Sequence, residues 1–188
     1  MEAKLTKDIE EHIALFQKLR DGYLGEVEAI GRLLWKRLEQ GHKILVAGNG
    51  GSAADAQHFA AELVGRYLVE RRSLPAIALT TDTSILTAVG NDYGYDQVFS
   101  RQLEGLGREG DVFIGISTSG NSENLVRAMN SAKKIGVTNV ALVGKGGGRM
   151  KPLADVALVV PSDHTPRIQE GQQWIWHTWC DLIDQFHG

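Results

Sequence analysis

One cysteine in 188 residues, Cys180, excludes an intrachain disulfide and a thiolate zinc finger. Such sparing use fits a reducing compartment. Four prolines are too few for a Pro-rich linker. No apolar run approaches the ~18–20 residues that a membrane-spanning helix needs. The opening stretch MEAKLTKDIEEHIALFQKLR mixes charge through its apolar positions and lacks the hydrophobic centre of a secretory signal. A basic excess is also missing: 20 Lys and Arg face 23 Asp and Glu, a formal net charge of −3. Proteins that depend on phosphate-backbone contacts usually carry that excess. The expectation is therefore a soluble, cytoplasmic protein with no nucleic-acid and no membrane partner. A small anionic metabolite stays open, because a site for it needs only local donors.

What is present reads as one globular unit over 1–188, given ~100–200 residues per domain. Hydrophobic residues make up 43% and charged residues 23%, close to the globular average, which excludes a disordered tail or a coiled coil. Glycine is abundant at 22 and points to tight turns. Residues 6–40 predict two helices, with Ile9, Ile13, Phe16 and Leu19, then Val27, Ile30, Leu34 and Leu38, at helical spacing. Asp21-Gly22 punctuates between them and Gly41 ends the second. Their apolar faces require a partner, either the sheet or a neighbouring subunit. Five short apolar runs follow, at 44–47, 76–79, 112–114, 140–143 and 156–160, and read as strands buried on both faces. Helical stretches at 53–68, 83–106 and 121–135 separate the first four. A short turn near 149–154 precedes the fifth, and a helix over 166–186 closes the chain. Alternation of this kind implies a parallel sheet with right-handed crossovers.

Three loops rich in Gly, Ser or Asn follow strands: GNGGS (48–52), STSGNS (117–122) and GKGGG (144–148). In an open α/β sheet they gather at the carboxyl edge, where ligands bind. STSGNS places four hydroxyls in six residues at the start of a helix, more than capping requires. Hydroxyls, free N–H groups and the positive helix end suit a phosphate. GNGGSA formally fits a dinucleotide fingerprint, but Thr80-Thr81 stands where its confirming acid belongs. GKGGG lacks the Lys-Ser/Thr ending of a P-loop.

Beyond GNGGS, Asp55, His58 and Glu62 share one helix face, with Arg66 one turn on. They could form a metal or acid/base group, or a solvated stripe with a Glu62–Arg66 ion pair. His177 lies among Trp174, Trp176 and Trp179; a packed core histidine reads equally well there. Spacing pairs it with Gln173 or Glu170 rather than with Gln169.

GNGGSAADAQHFAAELVGRY, AVGNDYG, GREGDVFIGISTSGNS and RIQE together resemble the sugar isomerase (SIS) family, and more narrowly the phosphoheptose isomerases. The resemblance implies a three-layer α/β sandwich: a five-stranded parallel sheet, flavodoxin-like, with helices added at the N-terminus. It implies conversion of sedoheptulose 7-phosphate to D-glycero-D-manno-heptose 7-phosphate for lipopolysaccharide and related surface sugars. It further implies a zinc ion on His58, Glu62, Gln169 and His177, with Glu62 as general base and His177 as general acid. Substrate contacts would come from Asn49, Gly50, Gly51, Ser52, Asp55, Glu62, Arg66, Asn91, Asp92 and Gln169. Ser117, Thr118, Ser119 and Ser122 would hold the phosphate. A homotetramer with active sites between subunits is implied as well, and would explain how the last helix meets the His58 helix. Non-catalytic SIS proteins, which bind the replication initiator or sense a sugar phosphate, offer the alternative. They lack equivalents of Glu62 and His177.

Overall fold

The computed structural model describes residues 1–187. Five parallel strands run β1 (Ile44–Gly48), β2 (Ala76–Ala78), β3 (Val112–Ser117), β4 (Thr138–Val143) and β5 (Val156–Val159). Their order in the sheet is β2-β1-β3-β4-β5. The flavodoxin-like expectation is met, and the order reverses between β1 and β3, so the loops after those strands diverge and open a crevice.

The central strands β1 and β3 are buried throughout. Period-two alternation sends Ile44, Val46, Val112 and Ile114 to one face and Leu45, Ala47 and Phe113 to the other, each into its own apolar cluster. Edge strands β2 and β5 are only partly covered, which corrects the expectation of full burial on both faces.

Helices α1 (Glu2–Gly22), α2 (Leu24–Glu39), α3 (Gly51–Val64) and α7 (Thr165–His187) pack on the first face. The second is covered by α4 (Thr83–Tyr93), α5 (Ser100–Leu106) and α6 (Glu123–Lys134). The single helix expected over 83–106 is broken at Gly94, which adopts φ +86°, and resumes after a 3-10 turn at Tyr95–Gln97. The first break falls at Tyr23 rather than within Asp21-Gly22.

Val27, Ile30, Leu34 and Leu38 are buried as their spacing predicts, and α2 lies along α7. The Trp179 indole donates to the Val27 carbonyl at 3.1 Å. The α1 stripe behaves differently: Leu15 and Leu19 are buried, whereas Ile9 and Ile13 are 61% and 48% exposed.

A second tie to α7 is fully buried. Arg71 Nε donates to Asp184 Oδ1 at 2.7 Å, and Asp184 Oδ2 accepts from the N–H groups of Leu68 and Val69. Burial opposes the Asp184 charge, but Arg71 and the two backbone donors win and hold its carboxyl below the ordinary aspartate range. With its folded-state pKa depressed, the carboxylate contributes stability above the unfolded value of about 3.9 that is lost as pH falls through the folded one. Asp184→Asn should therefore cost about 3–5 kcal/mol at pH 7 by stranding the Arg71 charge. The deficit should shrink towards pH 2. Urea unfolding at both pH values checks this; an equal deficit at both contradicts it.

Candidate active site

The turn from β1 into α3 is glycine-bound because another helix comes down on it. A Cβ on Gly51 would stand 2.6 Å from the Gln169 amide nitrogen. Gln169 sits in the first turns of α7, so the GNGGS loop and RIQE meet directly. With Asp55 they line a shallow cavity of about 290 Å³. Burial raises the Asp55 carboxyl above its ordinary range, while His58 and the Trp176 indole pull it back.

One turn further along α3, His58 Nε2 and Glu62 Oε1 are 2.9 Å apart. From α7, His177 joins them, its ring 5.3 Å from that of His58, centroid to centroid. One ligand atom from each of the three lies within 4.8 Å of the others. Buried Trp176 packs on both imidazoles, at 4.8 Å from His58 and 3.8 Å from His177. Tyr67 stacks on the outer side of His177 at 5.7 Å. Burial, then the neighbouring His58, lowers the His177 pKa, with Glu62 opposing. The shift favours the neutral ring, a form able to accept a proton or ligate a metal. Two nitrogens and a carboxylate oxygen are donors that zinc accepts.

Three expectations are corrected here. The packed-core reading of His177 fails, since the ring is part-exposed and faces a carboxylate. The joining of the last helix to the His58 helix needs no second subunit, because α3 and α7 of one chain make it. The Glu62–Arg66 ion pair is absent: Glu62 takes His58, and Arg66 approaches Glu70 at 3.8 Å. Asn91 and Asp92 end α4, exposed and bonded to one another.

The second loop faces the first across the crevice. Ser117 Oγ accepts from the Gly120 N–H at 3.1 Å and lies 3.4 Å from Ser122 Oγ. Ser119 Oγ accepts from the Asn121 N–H. Ser122 caps α6 by position, yet its side chain makes no capping bond. Thr118, Ser119 and Ser122 are part-exposed, whereas Ser117 is buried. Gly120 turns at φ +64°, and a side chain there would strike the Gly147 carbonyl, so GKGGG buttresses the cradle from behind.

A residue missed from sequence locks the two loops together. Buried Asn124 donates to Asn49 Oδ1 at 2.9 Å and accepts from Asn49 Nδ2 at 3.0 Å. Tyr95 also donates to Asn49 Oδ1. Asn124 stands two residues past STSGNS; an amide in a first helical turn is the one signal that could have marked it.

A larger cavity, about 910 Å³, lies elsewhere, between α1 and the segment after β5, and contains none of the three clustered side chains. Chemistry rather than size marks the site.

Comparison with known proteins agrees. Residues 9–144 match the SIS domain family. The phosphoheptose isomerase of Sulfurimonas denitrificans is 61% identical over 165 residues, covering 88% of this chain and 85% of the relative. This chain belongs to the phosphoheptose isomerase family of SIS domains. Its relative from Trichlorobacter lovleyi is 50% identical over 98% of this chain and 94% of its own. The solved phosphoheptose isomerase GmhA of Neisseria gonorrhoeae superposes with a TM-score of 0.93, at 44% identity and 98% coverage of both chains.

Asn124→Ala should leave Asn49 half-satisfied and cost about 1–3 kcal/mol. Chemical unfolding checks this; unchanged stability would show that the amide pair is not a lock.

Proposed function

We propose that this chain interconverts sedoheptulose 7-phosphate and D-glycero-D-manno-heptose 7-phosphate, supplying heptose for bacterial surface sugars. One observation carries the reading: a carboxylate and two imidazoles from two helices converge, with ligand atoms within 4.8 Å of one another. The names of the relatives agree with it. A non-catalytic SIS module has no use for that convergence.

Ketose and aldose differ by a proton moved between C1 and C2 and another moved between O1 and O2. Glu62 removes a C1 proton, which exchanges in part with solvent, and delivers a proton to C2 through a cis-enediolate. His177, neutral at the outset, accepts the O1 proton and delivers it to O2. General acid–base catalysis of this kind typically contributes ~10²–10⁴-fold. Thr118, Ser119 and Ser122, backed by Ser117 and the start of α6, grip the phosphate and fix the reacting carbons over Glu62. Asn49, Gly50, Gly51, Ser52, Asp55, Arg66, Asn91, Asp92 and Gln169 complete the substrate contacts.

His58, Glu62 and His177 would hold zinc, with the Gln169 carbonyl as a weaker fourth ligand. Bound there, the ion would act as a Lewis acid towards the enediolate oxygens. A cation held by Glu62 would compete with a proton for the same carboxylate, so ligation and base duty would alternate. Glu62→Gln and His177→Gln should each abolish turnover of sedoheptulose 7-phosphate while circular dichroism stays unchanged. Zinc content, measured alongside, should fall in both. Turnover retained in either variant contradicts the assigned roles.

Assembly into a homotetramer is part of the proposal. Support comes from α1, where Leu5, Ile9 and Ile13 form an exposed apolar stripe at helical spacing. Among the described residues no helix is long and apolar enough to cross a membrane. A cytoplasmic setting accords with the lone, buried Cys180. Replacing Ile9 and Ile13 by Asp should lower the mass found by analytical ultracentrifugation without unfolding the chain. An unchanged mass would remove α1 from the assembly.

A further inference from the structure

Arg71 lies outside every motif, yet it reaches the backbone of the proposed base. Its Nη2 donates to the Glu62 carbonyl at 2.7 Å and its Nη1 to the Leu63 carbonyl at 2.9 Å. Those carbonyls belong to the last turn of α3, where no further helical N–H follows to meet them. Its Nε meets Asp184 on α7, seven residues beyond His177. Both side chains are essentially sealed from water, at 0% and 2% exposure. The second Asp184 oxygen gathers Leu68 and Val69, fixing the chain that leaves α3 beneath Tyr67, which stacks on His177. One planar fork thus ties the Glu62-bearing turn to the helix that carries His177.

We infer that Arg71, held by Asp184, is a positioning residue that sets the distance between the Glu62 carboxylate and the His177 ring. The inference rests on the roles proposed above for those two groups. By capping those carbonyls Arg71 stabilises α3 in any case, so the positioning role is read from kcat and Zn(II) affinity rather than from stability. Lysine cannot replace it, since one ammonium lacks the rigid fork that spans two carbonyls and a carboxylate. Neither side chain bonds to the serine loop, so the pair makes no direct contribution to phosphate binding.

The test is Arg71→Lys, which keeps the charge opposite Asp184, assayed with sedoheptulose 7-phosphate well below the melting temperature. Misplacement by about 1 Å can cost ~10²-fold in rate. The expected result is kcat reduced about 10–100-fold with KM within twofold of the parent. Affinity for Zn(II), titrated separately, should fall about 10-fold, as when a supporting residue behind a ligand is lost. Asp184→Asn leaves the Arg71 bonds to Glu62 and Leu63 in place and should give a smaller kcat loss, again at constant KM. It decides the matter should Arg71→Lys not fold. Parent kcat and Zn(II) affinity in a folded variant overturn the inference. Glu62→Gln, run in parallel, separates the two failures. If it is inactive while Arg71→Lys is fully active, only the positioning role falls; if Glu62→Gln is active, the proposed chemistry falls.

Discussion

The contact between α3 and α7 is the constraint on which the rest depends. One helix brings His58 and Glu62, the other His177, and the trio forms only while the two are held together. Burial secures the contact from several sides: Phe59, Trp176 and Trp179 at the seam, α2 behind α7, and Arg71–Asp184 at the far end. Buried Gln172 donates to the carbonyls of Ser117 and Leu142 at 3.3 and 3.0 Å, tying α7 to the ends of β3 and β4 as well. The last helix is thus the common beam for both halves of the site.

The phosphate side obeys a different logic. Nothing cationic is built into STSGNS, and the carboxylate in the first turn of α6, Glu123, is held instead by Arg127 and Arg149 at 2.8 and 2.7 Å. Those arginines, Arg127 first, keep the Glu123 carboxyl below its ordinary range. Hydroxyls and backbone donors remain for the ligand, and the amide lock from Asn49 to Asn124 fixes the cradle relative to the first loop. A rigid phosphate site far from the reacting carbons converts binding into orientation.

Much of this was legible in the chain. Apolar runs gave all five strands: the central ones bury apolar side chains on both faces and so show no apolar–polar alternation, while the partly covered edge strands keep the same composition. Loop composition marked the carboxyl edge, and helical spacing put His58 and Glu62 on one face. What escaped is long-range. Arg71 and Asp184 are 113 residues apart, and no local pattern announces a buried ion pair. The meeting of His177 with Glu62 was expected from the family resemblance and not from spacing, because it depends on how α7 crosses α3. Gly94 broke a predicted helix because the apolar period continued across it. The α1 stripe was read as apolar with its partner, sheet or neighbouring subunit, left open; Leu19 turns inward and Ile9 and Ile13 outward, since periodicity gives a face without its direction.

The central claim is that Glu62 moves the carbon-bound proton. Incubating sedoheptulose 7-phosphate with the enzyme in D₂O, with NMR detection of deuterium at C1 and C2, tests it most directly. The account predicts solvent-derived deuterium with the parent enzyme and none above background with Glu62→Gln. Deuterium entering at the parent rate with Glu62→Gln would contradict it.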